Sequence, residues 1–193
     1  MKKILFALML SFSMAAVAQT SVAPTMSKLP ALDQSPMDMA YFPVDYPLQK
    51  IKDKPMEPLV ARVVYSRPQK GGRSIFGELV EYNKVWRLGA NEATELEFFK
   101  DVKIGGKKVP KGRYTLYALP DSTQWTLIIN KDTDIWGAFK YDEKKDIVRI
   151  TLPVQKMKEV VDPFTMAFEK TTSGANLIAA WDDERVVLPI IVY

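Results

Sequence analysis

From residue 58 to the end of the chain, apolar positions recur in short runs, many of them alternating with polar ones and separated by turn residues at roughly ten-residue spacing. Val60 to Ser66 is rich in β-branched and aromatic residues and stops at Arg67-Pro68. Val102-Lys103-Ile104 and Lys107-Lys108-Val109 flank Gly105-Gly106, which predicts a hairpin whose glycines supply the positive φ of a tight turn. Tyr114–Leu119, Trp125–Asn130, Ile147–Leu152, Phe164–Phe168, Leu177–Trp181 and Val186–Tyr193 read as further strands. No stretch carries a sustained helical stripe, although Gly137 to Lys145 has room for one helical turn. Pro189 places a bulge or an edge in the last strand. The pattern predicts an all-β fold, a single antiparallel β-sandwich or barrel-like domain.

The first part of the chain reads differently. Lys2-Lys3, an apolar run from Ile4 to Val17 and the small residues Ala16 and Ala18 have the layout of a secretory signal peptide, 1–18, cleaved after Ala18. Six prolines between Pro24 and Pro55 exclude a long helix or a central strand there. Met37, Met39, Tyr41, Phe42 and Tyr46 are interleaved with them, more apolar surface than a plain linker carries. Residues 19–31 are therefore read as a flexible leader, and 32–57 as an extended arm packed on the β domain that runs to residue 193. The destination expected is the periplasm, or the space beyond it.

Composition narrows the chemistry. Loss of the signal removes two lysines, so 27 − 2 = 25 basic residues face 23 acidic ones, a net charge of +2. No basic block is long enough to suggest nucleic acid or an anionic membrane surface, and no later stretch predicts a membrane span. The chain has no Cys, so no disulfide supports the exported domain and no Cys-linked lipid anchor is available. It also has no His, which removes Ser-His and Cys-His nucleophilic sites and the usual near-neutral base. No calcium-loop spacing appears, so neither a metal nor a cofactor is expected.

Three stretches invite a functional reading. Tyr65-Ser66-Arg67-Pro68-Gln69-Lys70-Gly71-Gly72-Arg73-Ser74 lacks phosphate-loop spacing, but its glycine backbone and the forks of Arg67 and Arg73 suit an anion. A plain strand connection with paired arginines fits as well. In Val85-Trp86-Arg87-Leu88-Gly89-Ala90-Asn91-Glu92-Ala93-Thr94, alternation sends Trp86 to the core and Arg87 outward. Glu92 is expected beside Arg87, either as a structural ion pair at a sheet corner or facing a cleft with Asn91. Glu95 and Glu97 share one strand face at about 6–7 Å, near the spacing of glycosidase carboxylates, though outward-facing strand residues give the same pattern. Asp182-Asp183-Glu184 reads as a solvated turn, and Trp125, Trp136, Phe139 and Tyr141 as core aromatics before sugar-stacking ones.

The segments SPMDMAYFP, YSRPQKGGRSIFGELVEYNKVWRLGANEATELEF, KGRYTLYALP, WTLIINKDTDIWGAFKYD and WDDERVVLPIIVY resemble one family, the DUF2911 proteins. The resemblance runs from about Asp33 to the C-terminus and implies an exported protein of a group found largely in Bacteroidetes. It also implies that the arm belongs to the domain, and it carries no activity, ligand or catalytic residue. The function expected is a non-enzymatic binding module for a small molecule, carbohydrate or anion, with Tyr65, Arg67, Arg73, Arg87, Asn91 and Glu92 as binding candidates. Two alternatives stand beside it: a His-free hydrolase or lyase using Glu92 and Arg87, and a structural envelope protein with a protein partner.

Overall fold

The alternating runs form strands wherever β-branched and aromatic residues can bury one face, and the glycine and proline clusters end them. The computed structural model describes residues 29–52 and 57–193. The expected signal peptide 1–18, residues 19–28 of the expected leader and residues 53–56 of the expected arm lie outside the described residues. Residues Leu32 to Tyr193 make one compact unit. Its strands are β1 (Met37–Phe42), β2 (Ala61–Ser66), β3 (Glu95–Phe98), β4 (Val102–Ile104), β5 (Lys107–Val109), β6 (Gly112–Pro120), β7 (Gln124–Asn130), β8 (Asp146–Pro153), β9 (Gln155–Thr171) and β10 (Gly174–Val192). A short helix α1 (Tyr46–Ile51), with Pro47 in its first turn, and one 3-10 turn at Glu143–Lys145 complete them.

Two antiparallel sheets form the sandwich. One has six strands in the order β1-β2-β3-β6-β7-β8, the other four in the order β5-β4-β10-β9. The arm thus supplies an edge strand, where proline on either side costs no ladder bonds. Between the sheets, Val63, Leu96, Leu116 and Leu127 share one buried cluster with Phe164, Met166, Leu177 and Leu188. Trp86, Trp125, Trp181, Phe76 and Phe164 meet in that cluster, with the rings of Trp86 and Trp181 stacked 6.1 Å apart. A smaller cluster lies outside it: Tyr117 and Ile128 are covered by Ile135, Ala138 and Tyr141 from the segment after β7. Strands β6 and β7 are therefore buried on both faces over Tyr114–Ala118 and Leu127–Asn130.

Strand β10 departs most from the sequence reading, which divides it at Asp182. Its 19 residues would span roughly 60 Å if extended. Its ends instead meet: Val192 N–H donates to Ser173 O at 2.9 Å, and Gly174 lies against the carbonyl of Ile190. Asp182, at φ 56°, marks the bend. Buried positions are odd-numbered from Ala175 to Ala179 and even-numbered from Glu184 to Ile190, so the inward face changes phase across it. The expected turn between two strands is instead a bulged bend inside one strand, where Asp182 pairs with Val161 and Glu184 with Lys156, and Glu184 is not solvated there. Only 2% of it is exposed.

Candidate functional site

Between β2 and β3 the chain runs from Arg67 to Thr94 with only isolated bridges, at Phe76, Trp86 and Glu92. Connections of this length inside a compact domain are uncommon and usually functional. This one is packed, since Ile75, Val80, Trp86, Leu88 and Ala90 are all buried. Its second half is bolted by the main chain. Trp86 exchanges two backbone hydrogen bonds with Ala118, at 2.7 and 2.9 Å, and its indole N–H donates to Gly89 O. The Thr94 hydroxyl donates to Leu88 O, and Thr94 N–H to Arg87 O at 3.0 Å. Leu88, Gly89 and Asn91 all have positive φ. At Gly89 the reason is contact, because a Cβ there would sit 3.1 Å from Ser66 O.

This backbone separates Arg87 from Glu92. The expected ion pair is absent among the described residues, because three positive-φ residues between Arg87 and Glu92 end the simple strand alternation on which it depends. Glu92 bridges to Trp136 on the far side of the bend and is exposed on another pocket, with Met37 and Asp134. Arg87 and Asn91 instead line a pocket of about 290 Å³ together with Arg73, Trp86 and Trp181. The Nε of Arg87 and the indole N–H of Trp181 are buried, and neither has a hydrogen-bond partner among the described residues. Arg87 forms no ion pair there either, and burial pulls its guanidinium below the ordinary arginine value. Two buried donors without acceptors on one pocket wall form an arrangement that folding alone does not favour.

Arg73 holds its fork in place by donating to the carbonyls of Lys70, at 2.9 Å, and Gln69, closing the Gly71-Gly72 turn. The Asn91 side chain donates one amide hydrogen to Asp33 Oδ1 at 3.2 Å, and its main-chain carbonyl accepts Gly137 N–H at 2.9 Å. The remaining candidates are spent on structure. Arg67 donates to Asp38 Oδ2 at 2.9 Å, Phe164 O at 3.2 Å and Thr165 Oγ1 at 2.8 Å, tying the arm to β9. Tyr65 is buried, its hydroxyl donating to Met166 O, and desolvation raises its pKa. Glu95 and Glu97 are held by Arg113 and Arg62 respectively.

A neighbouring groove of about 260 Å³ shares Trp86, Arg87, Leu79 and Val80 with this pocket and continues to Phe139. Of the aromatics read as core, Trp125 is fully buried, but Phe139 is 85% exposed and Trp136 62%. Arg87 thus stands between a polar pocket and a groove of mixed character, where Leu79, Val80 and Phe139 lie beside Glu81 and Lys84.

A family model described as a protein of unknown function (DUF2911) matches residues 47–190. The chain belongs to the DUF2911 family. The matched span takes in the whole Arg67–Thr94 connection, β2 to β9, and β10 as far as Ile190. No curated protein and no solved structure matches the chain. Among the described residues of this DUF2911 protein, no helix is long and apolar enough to cross a membrane.

Proposed function

We propose that the protein is an exported binding module whose Arg87 pocket holds a small oxyanion, a carboxylate or phosphate group. The observation carrying this reading is that Arg87 and Trp181, each with a buried donor that has no partner among the described residues, line the same pocket. A planar fork and a neutral donor in a partly dry recess complement an oxyanion better than a neutral ligand. Arg73 and Asn91 extend the donor set, and the Phe139 groove suits an apolar substituent on the anion. The hydrolase or lyase alternative loses its acid–base pair, since Glu92 lies on a different pocket. Export is supported by the Lys2-Lys3 start, the apolar run and the Ala16-Val17-Ala18 site.

Titration calorimetry at fixed ionic strength, with acetate, benzoate, phosphate and sulfate, tests the reading. Benzoate is expected to bind more tightly than acetate, and Arg87→Gln to weaken the best anion at least tenfold, about 1.4 kcal/mol. If none of the four binds the wild-type protein, or if binding survives Arg87→Gln, the assignment of the pocket is wrong. Cell fractionation with N-terminal sequencing tests export, and a mature chain beginning at Gln19 is the expected result.

A further inference from the structure

A second pocket, of about 320 Å³, lies on the other side of Arg73 and is lined by Lys70, Tyr82, Lys156, Asp182, Asp183 and Glu184. Its charges cancel. Lys70, Arg73 and Lys156 equal the three carboxylates in number, and the two lysines pair with all three of them. Lys70 Nζ donates to both oxygens of Asp182 at 2.7 Å. Lys156 Nζ donates to Asp183 Oδ1 at 3.0 Å and to Glu184 Oε1 at 2.9 Å. Such a recess has little net field with which to collect an ion of either sign. It offers instead a dense set of oriented donors and acceptors.

One group in that set is incomplete. Glu184 is buried, yet its Oε2 has no partner among the described residues. A buried carboxylate is tolerated when each oxygen accepts hydrogen bonds, and half-satisfied it is costly. The missing partner must be a donor. A further ammonium or a metal ion would upset a balance that Lys70, Lys156 and Arg73 together set. A hydroxyl would not, and a hydroxyl can also accept from Lys70 or Lys156 in return. The Tyr82 hydroxyl has no hydrogen bond among the described residues, and burial and the nearby Glu184 charge raise its pKa, so it stays neutral and able to donate. Several neutral hydroxyls on one small frame would meet all of these groups at once.

We propose that this pocket is a second binding site, one that takes a neutral, hydroxyl-rich ring such as a monosaccharide, with Glu184 Oε2 and Tyr82 as its inner contacts. It is independent of the oxyanion pocket, with which it shares Arg73 alone. Its signal in the sequence was the Asp182-Asp183-Glu184 run, whose polarity suggested solvent.

Saturation-transfer NMR and calorimetry on the full chain, with glucose, galactose, mannose and myo-inositol as probes, decide the matter. At least one probe should saturate, and its affinity should fall tenfold or more in Glu184→Gln and in Tyr82→Phe. Arg87→Gln should leave it unchanged, which separates this site from the oxyanion reading. If Glu184→Gln does not fold, Tyr82→Phe alone decides, since that ring is half-exposed and loses only its hydroxyl. The proposal is overturned if no probe saturates on the wild-type protein, or if binding persists in the folded variants.

Discussion

Arg67 and Arg87 are both half-buried arginines of one connection, and the structure assigns them opposite energetic signs. Replacing each with methionine keeps most of the stem packing while removing the charge. Arg67→Met removes three hydrogen bonds, to Asp38, Phe164 O and Thr165. Each is worth about 0.5–1.5 kcal/mol net, with the Asp38 pair near the bottom because both side chains reach solvent. A further cost comes from the Phe164 carbonyl left without its side-chain donor. The total is about 2–4 kcal/mol. Arg87→Met removes no hydrogen bond found among the described residues and returns no acceptor unpaired. It relieves the desolvation that lowers the Arg87 pKa, so stability should stay within about 0.5 kcal/mol or rise. Urea unfolding of both variants beside wild type measures the difference, with equal m-values as the condition for comparing midpoints. A gap of about 2 kcal/mol or more is expected between them. A loss above about 2 kcal/mol for Arg87→Met would show that this side chain holds the corner together, and the binding assignment would fall with it.

Gly174→Ala should be severe, because the new Cβ would lie 2.3 Å from Ile190 O at a φ of 148°. A loss of about 3 kcal/mol or more is expected from overlap and backbone strain, read as a fall in Tm of roughly 6–12 °C; an unchanged Tm would mean that the two ends of β10 do not meet. Tyr117 is buried, and burial, followed by the charges of Asp132 and Asp146, pushes its pKa up to about 12 from 10.0. Between those values the unfolded chain loses the phenolic proton while the folded protein keeps it. Stability should therefore fall as pH rises from 10 towards 12, by about 2–3 kcal/mol from this group. Tyr117→Phe should lose this contribution, and urea midpoints at pH 9 and 11.5 that shift equally in both proteins would show that Tyr117 is not its source.

Much of the sandwich is legible in the sequence because alternation is a local property. The Gly105-Gly106 hairpin, β2 and the ends of β6 to β8 follow from branched and aromatic runs between turn residues. What escapes depends on partners far along the chain. The first part of β9, Gln155 to Asp162, is not among the strands read from the pattern, because it is exposed on an edge strand and buries almost nothing. Glu184 escapes for the opposite reason: the inward face changes phase across Asp182, and no local pattern announces this. The Arg87–Glu92 pair is a failure of extrapolation, since Leu88 adopts a positive φ that its side chain does not predict. Arg73, Arg87 and Asn91 do come together, while Tyr65, Arg67 and Glu92 go elsewhere.

The bend from Arg87 to Thr94 divides its labour between main chain and side chains, and this division bears on how a site arises in a chain without His or Cys. Apart from the Asn91 amide on Asp33, the hydrogen bonds of the bend among the described residues are made by the backbone, by the Trp86 indole or by the Thr94 hydroxyl. Leu88 and Asn91 pay conformational strain of order 1–3 kcal/mol each for that shape. Strain of this kind persists only where the surroundings over-determine it, as the paired bonds from Trp86 to Ala118 and from Thr94 to Leu88 and Arg87 do here. With the corner already secured, the Arg87 guanidinium is not needed to hold it. It can stand unpaired at the edge of a pocket, where its charge costs stability and gains an acceptor only when one arrives from outside. Glu184 is the mirror case on the other sheet: Lys156 and the β10 bend fix it through one oxygen, and the second oxygen awaits a donor. Fixed shape with unmet polarity is what preorganised recognition requires. Both of these pockets border the long connection from Arg67 to Thr94.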